Sequence, residues 1–186
     1  VQTCALPIFR GMVEAHHGRV ENALKHFRNA SAKAGHRLDH LGFVARQAEA
    51  GGAVRAAIEA YEKMLSYPLL VQVAAKEIFR LSAGLDDLAP RLMALQRLVE
   101  LGTDDDAIIN ELNYVELVMG VATEQTIARA QRTFERLQGS QPARLALALA
   151  ELERRQPARG LEVLDAGGFD WTRASARERA VYAAVL

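Results

Sequence analysis

The sequence predicts an all-α fold of antiparallel helix hairpins, and three observations predict it. An apolar frame returns at a fixed period of 34 residues: "GRVENALKHFRNA" from Gly18 overlays "GAVRAAIEAYEKM" from Gly52, with Ala23 on Ala57, Leu24 on Ile58 and Phe27 on Tyr61. Within each copy the apolar residues recur at i, i+3/i+4 and i+7, the spacing of one helix face. Glycine, aspartate and proline punctuate the frame where helices must start or stop. The composition permits such a fold, with 50% hydrophobic and 25% charged residues.

Taken along the chain, each element has its own warrant. The helix after Gly18 carries Ala23, Phe27 and Ala30; the small alanine lets a neighbouring helix approach and the aromatic one turn later fills the gap beside it. "HRLDHLGFVARQAEAGG" is amphipathic, with Leu38, Leu41, Val44, Ala45 and Ala48 on one side and Asp39, Arg46 and Glu49 off it. Its partner begins at Gly52, and Pro68 closes the second unit. A third copy places Leu92, Leu95 and Leu98 in the same register, with Asp86 where the glycine stood. Further on, "DDDAIINELNYVELVMG" pairs with "TEQTIARAQRTFERLQ", whose apolar face runs through Ile127, Ala130, Phe134 and Leu137. "ARLALALAELERR" pairs with "PARGLEVLD", where Gly160 takes the place of the small alanine. "SARERAVYAAVL" then begins a sixth pair, giving five hairpins and an interrupted sixth. Val181, Tyr182 and Val185 line its apolar face, which predicts an uncovered surface, self-association through this helix and poor behaviour in isolation.

The period, the glycine turn, the Ala-x-x-x-aromatic spacing and the closing proline together resemble the tetratricopeptide repeat (TPR) family. The motif is carried by Gly18, Ala23, Phe27 and Ala30, and again by Leu41, Val44, Ala45, Gly52, Ala57, Tyr61 and Pro68. "NELNYVELVMG" is similar to a segment common in bacterial members. Leu41 and Leu95 depart from the pattern, standing where aromatics are usual. The resemblance implies a right-handed α-solenoid that acts as a non-catalytic scaffold and binds a peptide or protein segment on the concave face made by the first helix of each hairpin. On that face the expected partner-binding residues are Asp39, Arg46 and Glu49, with Asn110 and Asn113 able to bracket a peptide backbone. Gly42 and Arg46 occupy the region where some members carry a Lys/Asn clamp for C-terminal carboxylates, so that specificity is not expected. The alternative reading is the assembly or regulatory arm of a larger enzyme.

Charge and motif content narrow the function classes. Lys+Arg and Asp+Glu number 23 each, so the basic footprint of a nucleic-acid binder is missing. The nearest approach to a long apolar run is "ARLALALAEL", about half the ~20 residues that span a bilayer. His36 and His40 have the i, i+4 spacing of a zinc pair, but Arg37 stands where the general base belongs, and they read as surface residues of a helix start. His16 and His17 have no ligand spacing. "TDDDA" from Thr103, like Asp86 and Asp87, reads as a helix cap. The pairs Gly51-Gly52 and Gly167-Gly168 read as turns and Trp171, beside Phe169, as a packing plug. No constellation carries catalysis, and neither cofactor nor metal is expected.

The opening octet "VQTCALPI", which holds the sole cysteine, Cys4, can be written in codons matching the end of a short-read sequencing adapter; the adapter's next T fits a Phe9 codon. Residues 1–8 are therefore read as non-native and residues 9–186 as the repeat domain, a fragment of a longer protein. Only four basic residues are lysines, a bias expected from a G+C-rich coding sequence.

Overall fold

The computed structural model describes residues 5–35, 37–137, 140–166, 170 and 172–186. These hold eleven α-helices and no strand. The helices are α1 (Ala5–His16), α2 (Val20–Ala34), α3 (Leu38–Ala50), α4 (Val54–Met64), α5 (Val71–Leu81), α6 (Ala89–Glu100), α7 (Asp106–Val118), α8 (Glu124–Arg136), α9 (Gln141–Glu153), α10 (Pro157–Asp165) and α11 (Ala176–Val185). The odd-numbered helices begin 33 to 35 residues apart, so the predicted five hairpins and a sixth first helix are all present. The chain forms two compact units, residues 1–98 and 99–186.

In the first unit each helix packs on the next from α1 to α5, and α1 also meets α3 as α2 meets α4, the pattern of stacked hairpins. Phe27, Leu41, Val44, Tyr61 and Ile78 form the core, with Ala23, Ala45 and Ala57 at the close crossings. Ion pairs stitch like to like: Arg28 of α2 donates to Glu59 of α4 at 2.8 and 2.5 Å, and Arg80 of α5 donates to Glu49 of α3 at 2.7 Å. Arg91 anchors the start of α6 to α5, its guanidinium 4.4 Å from the Phe79 ring centre and its Nη1 donating to the Phe79 carbonyl.

In the second unit α9 is central, packing on α7, α8, α10 and α11. Its sequence explains this, since Leu145 through Ala150 are all buried and a helix apolar all round must be enclosed. Gly160 of α10 makes the tightest crossing: a Cβ there would lie 3.0 Å from the Ala148 carbonyl oxygen and 2.8 Å from Val185 Cγ1.

That last contact corrects the expectation for α11. Val181 and Val185 are buried against the preceding hairpin, and the Tyr182 hydroxyl donates to Asp165 at 3.0 Å. A repeat's first helix needs one apolar face for the hairpin before it, and the three expected residues are spent on that face. The two valines therefore lie inside the unit rather than on an uncovered surface.

One turn recurs through both units. After α1, α3, α7 and α9, a residue with positive φ reverses the chain: Gly18 (71°), Gly52 (73°), Gly120 (66°) and Arg155 (60°). In each, the following amide donates five residues back, Arg19 to Glu14, Ala53 to Ala48, Val121 to Glu116 and Gln156 to Glu151, at 2.8–3.0 Å. This Schellman geometry satisfies the last helical carbonyls and is cheapest with glycine. The third hairpin lacks it; there a short 3-10 turn, Ser82–Gly84, leads to Asp87, which caps α6 by accepting from the Ala89 amide at 3.0 Å. Arg155 bears the left-handed penalty of about 1–2 kcal/mol that its counterparts avoid. Arg155→Gly relieves it at the cost of a more flexible unfolded chain, about 0.4–1 kcal/mol. A net gain of about 0.5 kcal/mol is expected in urea unfolding, and a lower midpoint would refute this reading of the turn.

Candidate partner-binding face

The first helix of the second hairpin, α3, presents Asp39, Phe43 and Arg46 at i, i+4 and i+7, one stripe of the helix. All three are exposed, Phe43 by 45%. Leu41, Val44, Ala45 and Ala48 are buried in the core, so this stripe is the most exposed side of α3. Asp39 is paired within its own turn, with Arg37 at 3.3 Å and His40 at 3.5 Å. Desolvation pushes its carboxyl up, but the His40 backbone together with the His40 and Arg37 side chains outweighs this, and the net direction is down. Arg46 has no ion pair or hydrogen bond among the described residues, and Gly42 leaves room for its guanidinium, 3.5 Å from where a Cβ would be.

Glu49 differs from its neighbours. It is half-buried and accepts from Arg80, which also donates to Glu77 at 2.6 Å. The bonds to Glu77 and then Glu49 raise the Arg80 pKa. Glu49 therefore ties α3 to α5. Toward the other side, Gly51 allows α1 and α3 to close, since a Cβ there would sit 2.8 Å from the Ala15 Cβ. Met12, Ala15, His16, Gln47, Ala50 and Gly51 line a hollow of about 310 Å³ between these helix ends.

Asn110 and Asn113 of the second unit do not stand on an accessible surface: their exposures are 3% and 0%. Asn113 is the eighth residue of α7, and the eighth residues of α3, α5 and α9, Ala45, Ile78 and Ala148, are also wholly buried. In these four helices the position belongs to the core, and the Asn113 side-chain oxygen finds its partner internally. Asn113 Oδ1 accepts from Arg129 Nε at 2.5 Å, Arg129 Nη2 donates to Glu116 Oε2 at 2.5 Å, and the Thr126 hydroxyl donates to the same oxygen at 2.7 Å. Thr126 also forms a reciprocal capping box with Thr123, so the network fixes the start of α8 against α7. The two asparagines are thus corrected from partner ligands to interior groups.

Asp105 caps α7, accepting from the Ala107 amide at 2.9 Å, as the acidic run predicts. His40 lies in α3 beside Asp39, while His36 is outside the described residues, as are Cys4, Gly167, Gly168, Phe169 and Trp171. Pro7 and Ile8, from the octet read as non-native, are buried in α1. Among the described residues no group of three or more His, Cys, Asp or Glu side chains could hold a metal, and no helix is long and apolar enough to cross a membrane.

Comparison with known proteins places this architecture. No family model matches the chain, and no curated protein matches it. Two crystal structures of MamA do. One aligns over 88% of this chain and 89% of its own with a TM-score of 0.52 and 16% identity, the other over 84% and 91% with 0.50 and 17%. TTC0263, a thermophilic TPR protein in Thermus thermophilus, aligns over 98% of both chains with a TM-score of 0.45 and 18% identity. At such identities the likeness is one of fold. The fold is TPR-like, a series of helical hairpins with a 34-residue period.

Proposed function

We propose that this chain is a non-catalytic interaction scaffold that binds a peptide or protein segment on the surface made by its first helices, the concave face that the TPR resemblance implies. The observation that carries this is the stripe on α3: an exposed aromatic, Phe43, between Asp39 and an unpaired Arg46. An aromatic side chain gives contact area at low entropic cost and a free guanidinium gives directional donors, and both residue types are enriched in the cores of protein interfaces. Glu49 supports the face from behind by holding α5 in place, and the α1–α3 hollow beside it can take one small side chain.

The test starts from a peptide selected on the full chain by random display, its affinity then measured by titration calorimetry. Arg46→Glu reverses the free charge without disturbing any pair, and at least about a tenfold loss of affinity is expected, with unchanged thermal unfolding. Affinity unaltered by both Arg46→Glu and Phe43→Ala would place the site elsewhere.

A further inference from the structure

In the second unit, α8 carries Arg129, Arg132 and Arg136 at i, i+3 and i+7. With Thr133 and Glu135 they line a cavity of about 500 Å³ whose remaining walls are Ile109 of α7 and Val99. Because α7 and α8 run antiparallel, their facing side chains form rungs. At one end Arg129 meets Asn113 and Glu116; at the other Arg136 meets Asp106. Between them the rung is incomplete. Arg132 is exposed and has no ion pair or hydrogen bond among the described residues, and across the cavity α7 offers the aliphatic Ile109 where the flanking rungs have a carboxylate. Glu135, the lining carboxylate, accepts instead from Gln131 at 3.2 Å along its own helix.

We propose that this middle rung is a binding site for a ligand carboxylate, held by the Arg132 guanidinium, with the aliphatic part of the ligand against Ile109 and Val99. The planar fork of an arginine matches a carboxylate with two parallel hydrogen bonds, and each flanking arginine already binds one carboxylate. A phosphate dianion fits less well. Arg129 and Arg136 are already paired with Glu116 and Asp106, so among the described residues of the cluster Arg132 is the one guanidinium left to meet an anion, and Glu135 on the same wall disfavours the second negative charge of a phosphate. The site is distinct from the α3 stripe in both its residues and its chemistry, and it stands whether or not that stripe binds a partner.

The test follows the Arg132 side-chain Nε–H resonance of the full chain by NMR at constant ionic strength. Three probes are titrated: butyrate, a capped pentapeptide with one central glutamate between leucines, and inorganic phosphate. A saturable shift with butyrate assigns the site to free small carboxylates as well as peptides; a shift with the peptide alone assigns it to an acidic peptide segment. Ile109→Glu supplies the missing carboxylate from within and is expected to weaken either ligand at least about tenfold while the backbone spectrum stays folded. Arg132→Gln removes the donor and is expected to abolish the ligand-induced shifts of the neighbouring Thr133 and Ile109 amides. No saturable response to butyrate or peptide, a response to phosphate alone, or binding undiminished in Ile109→Glu would each overturn the proposal.

Discussion

Phe27→Ala is expected to cost the first unit about 3–5 kcal/mol, the range for removing a buried aromatic ring. Phe27 is wholly buried on α2, and its ring lies so close to α1 that a Cβ on Gly11 would come within 3.0 Å of it. The ring fills the space that a glycine leaves, so α1 cannot collapse into the hole without losing its contacts with α2 and α3. A loss of this size approaches the whole stability of a small helical unit, about 5–15 kcal/mol. Urea unfolding followed by circular dichroism should show the first unit melting at far lower denaturant. The same geometry predicts that Gly11→Leu also destabilises, by driving a side chain into the ring, and that Gly11→Leu with Phe27→Ala recovers part of the loss because the leucine enters the vacated space. A cost under about 1 kcal/mol for Phe27→Ala, or a double variant no better than the worse single one, would refute this packing.

Phe27 is legible in the sequence because the period places it over Tyr61, whereas Gly11 is not. The recognisable period starts at the glycine turn of residue 18, and a lone glycine inside a helix carries no one-dimensional sign that a ring on the next helix depends on it. The turns divide the same way. Gly18 and Gly52 declare their left-handed conformation by being glycine, and Gly120 lies on the same 34-residue ladder. Arg155 adopts that conformation without the residue that announces it, because the carbonyls of α9 need the Schellman bonds whatever side chain is present. Helix count and hairpin order are readable because each depends on a stripe of apolar residues within a short window. For the candidate face, reading a polar residue as solvent-exposed succeeds at Asp39 and Arg46. It fails at Asn110 and Asn113, where polarity suggests solvent and the fixed position in the first helix imposes burial. The same holds for α11: its valines look unpartnered along the chain, yet Gly160 opens the place they occupy.

Glu116→Ala is expected to destabilise the second unit by about 3–5 kcal/mol, the cost of leaving a buried charge without its partner. The Glu116 and Arg129 side chains are 12% and 17% exposed, and one oxygen of Glu116 serves both Arg129 and the Thr126 hydroxyl. Its loss leaves a guanidinium facing the interior with only Asn113 as acceptor. The Arg136–Asp106 pair on the same two helices is a measure of how much burial matters, since Arg136 is 58% exposed there and Arg136→Ala should cost under about 1 kcal/mol. High salt should narrow the small effect and leave the large one nearly unchanged, because buried pairs are little screened. The network itself is a choice made at one position. Its neighbours in the repeat hold Ala45 and Ala148 where α7 has Asn113, and an apolar version should fold equally well. The triple variant Asn113→Ala, Glu116→Leu, Arg129→Leu removes every member that depends on another and leaves Thr126 bonded to Thr123. It is expected to recover most of the stability that Glu116→Ala loses. If the triple variant were as unstable as Glu116→Ala, the polar pairs would be supplying net stability to the α7–α8 crossing, contrary to the desolvation argument.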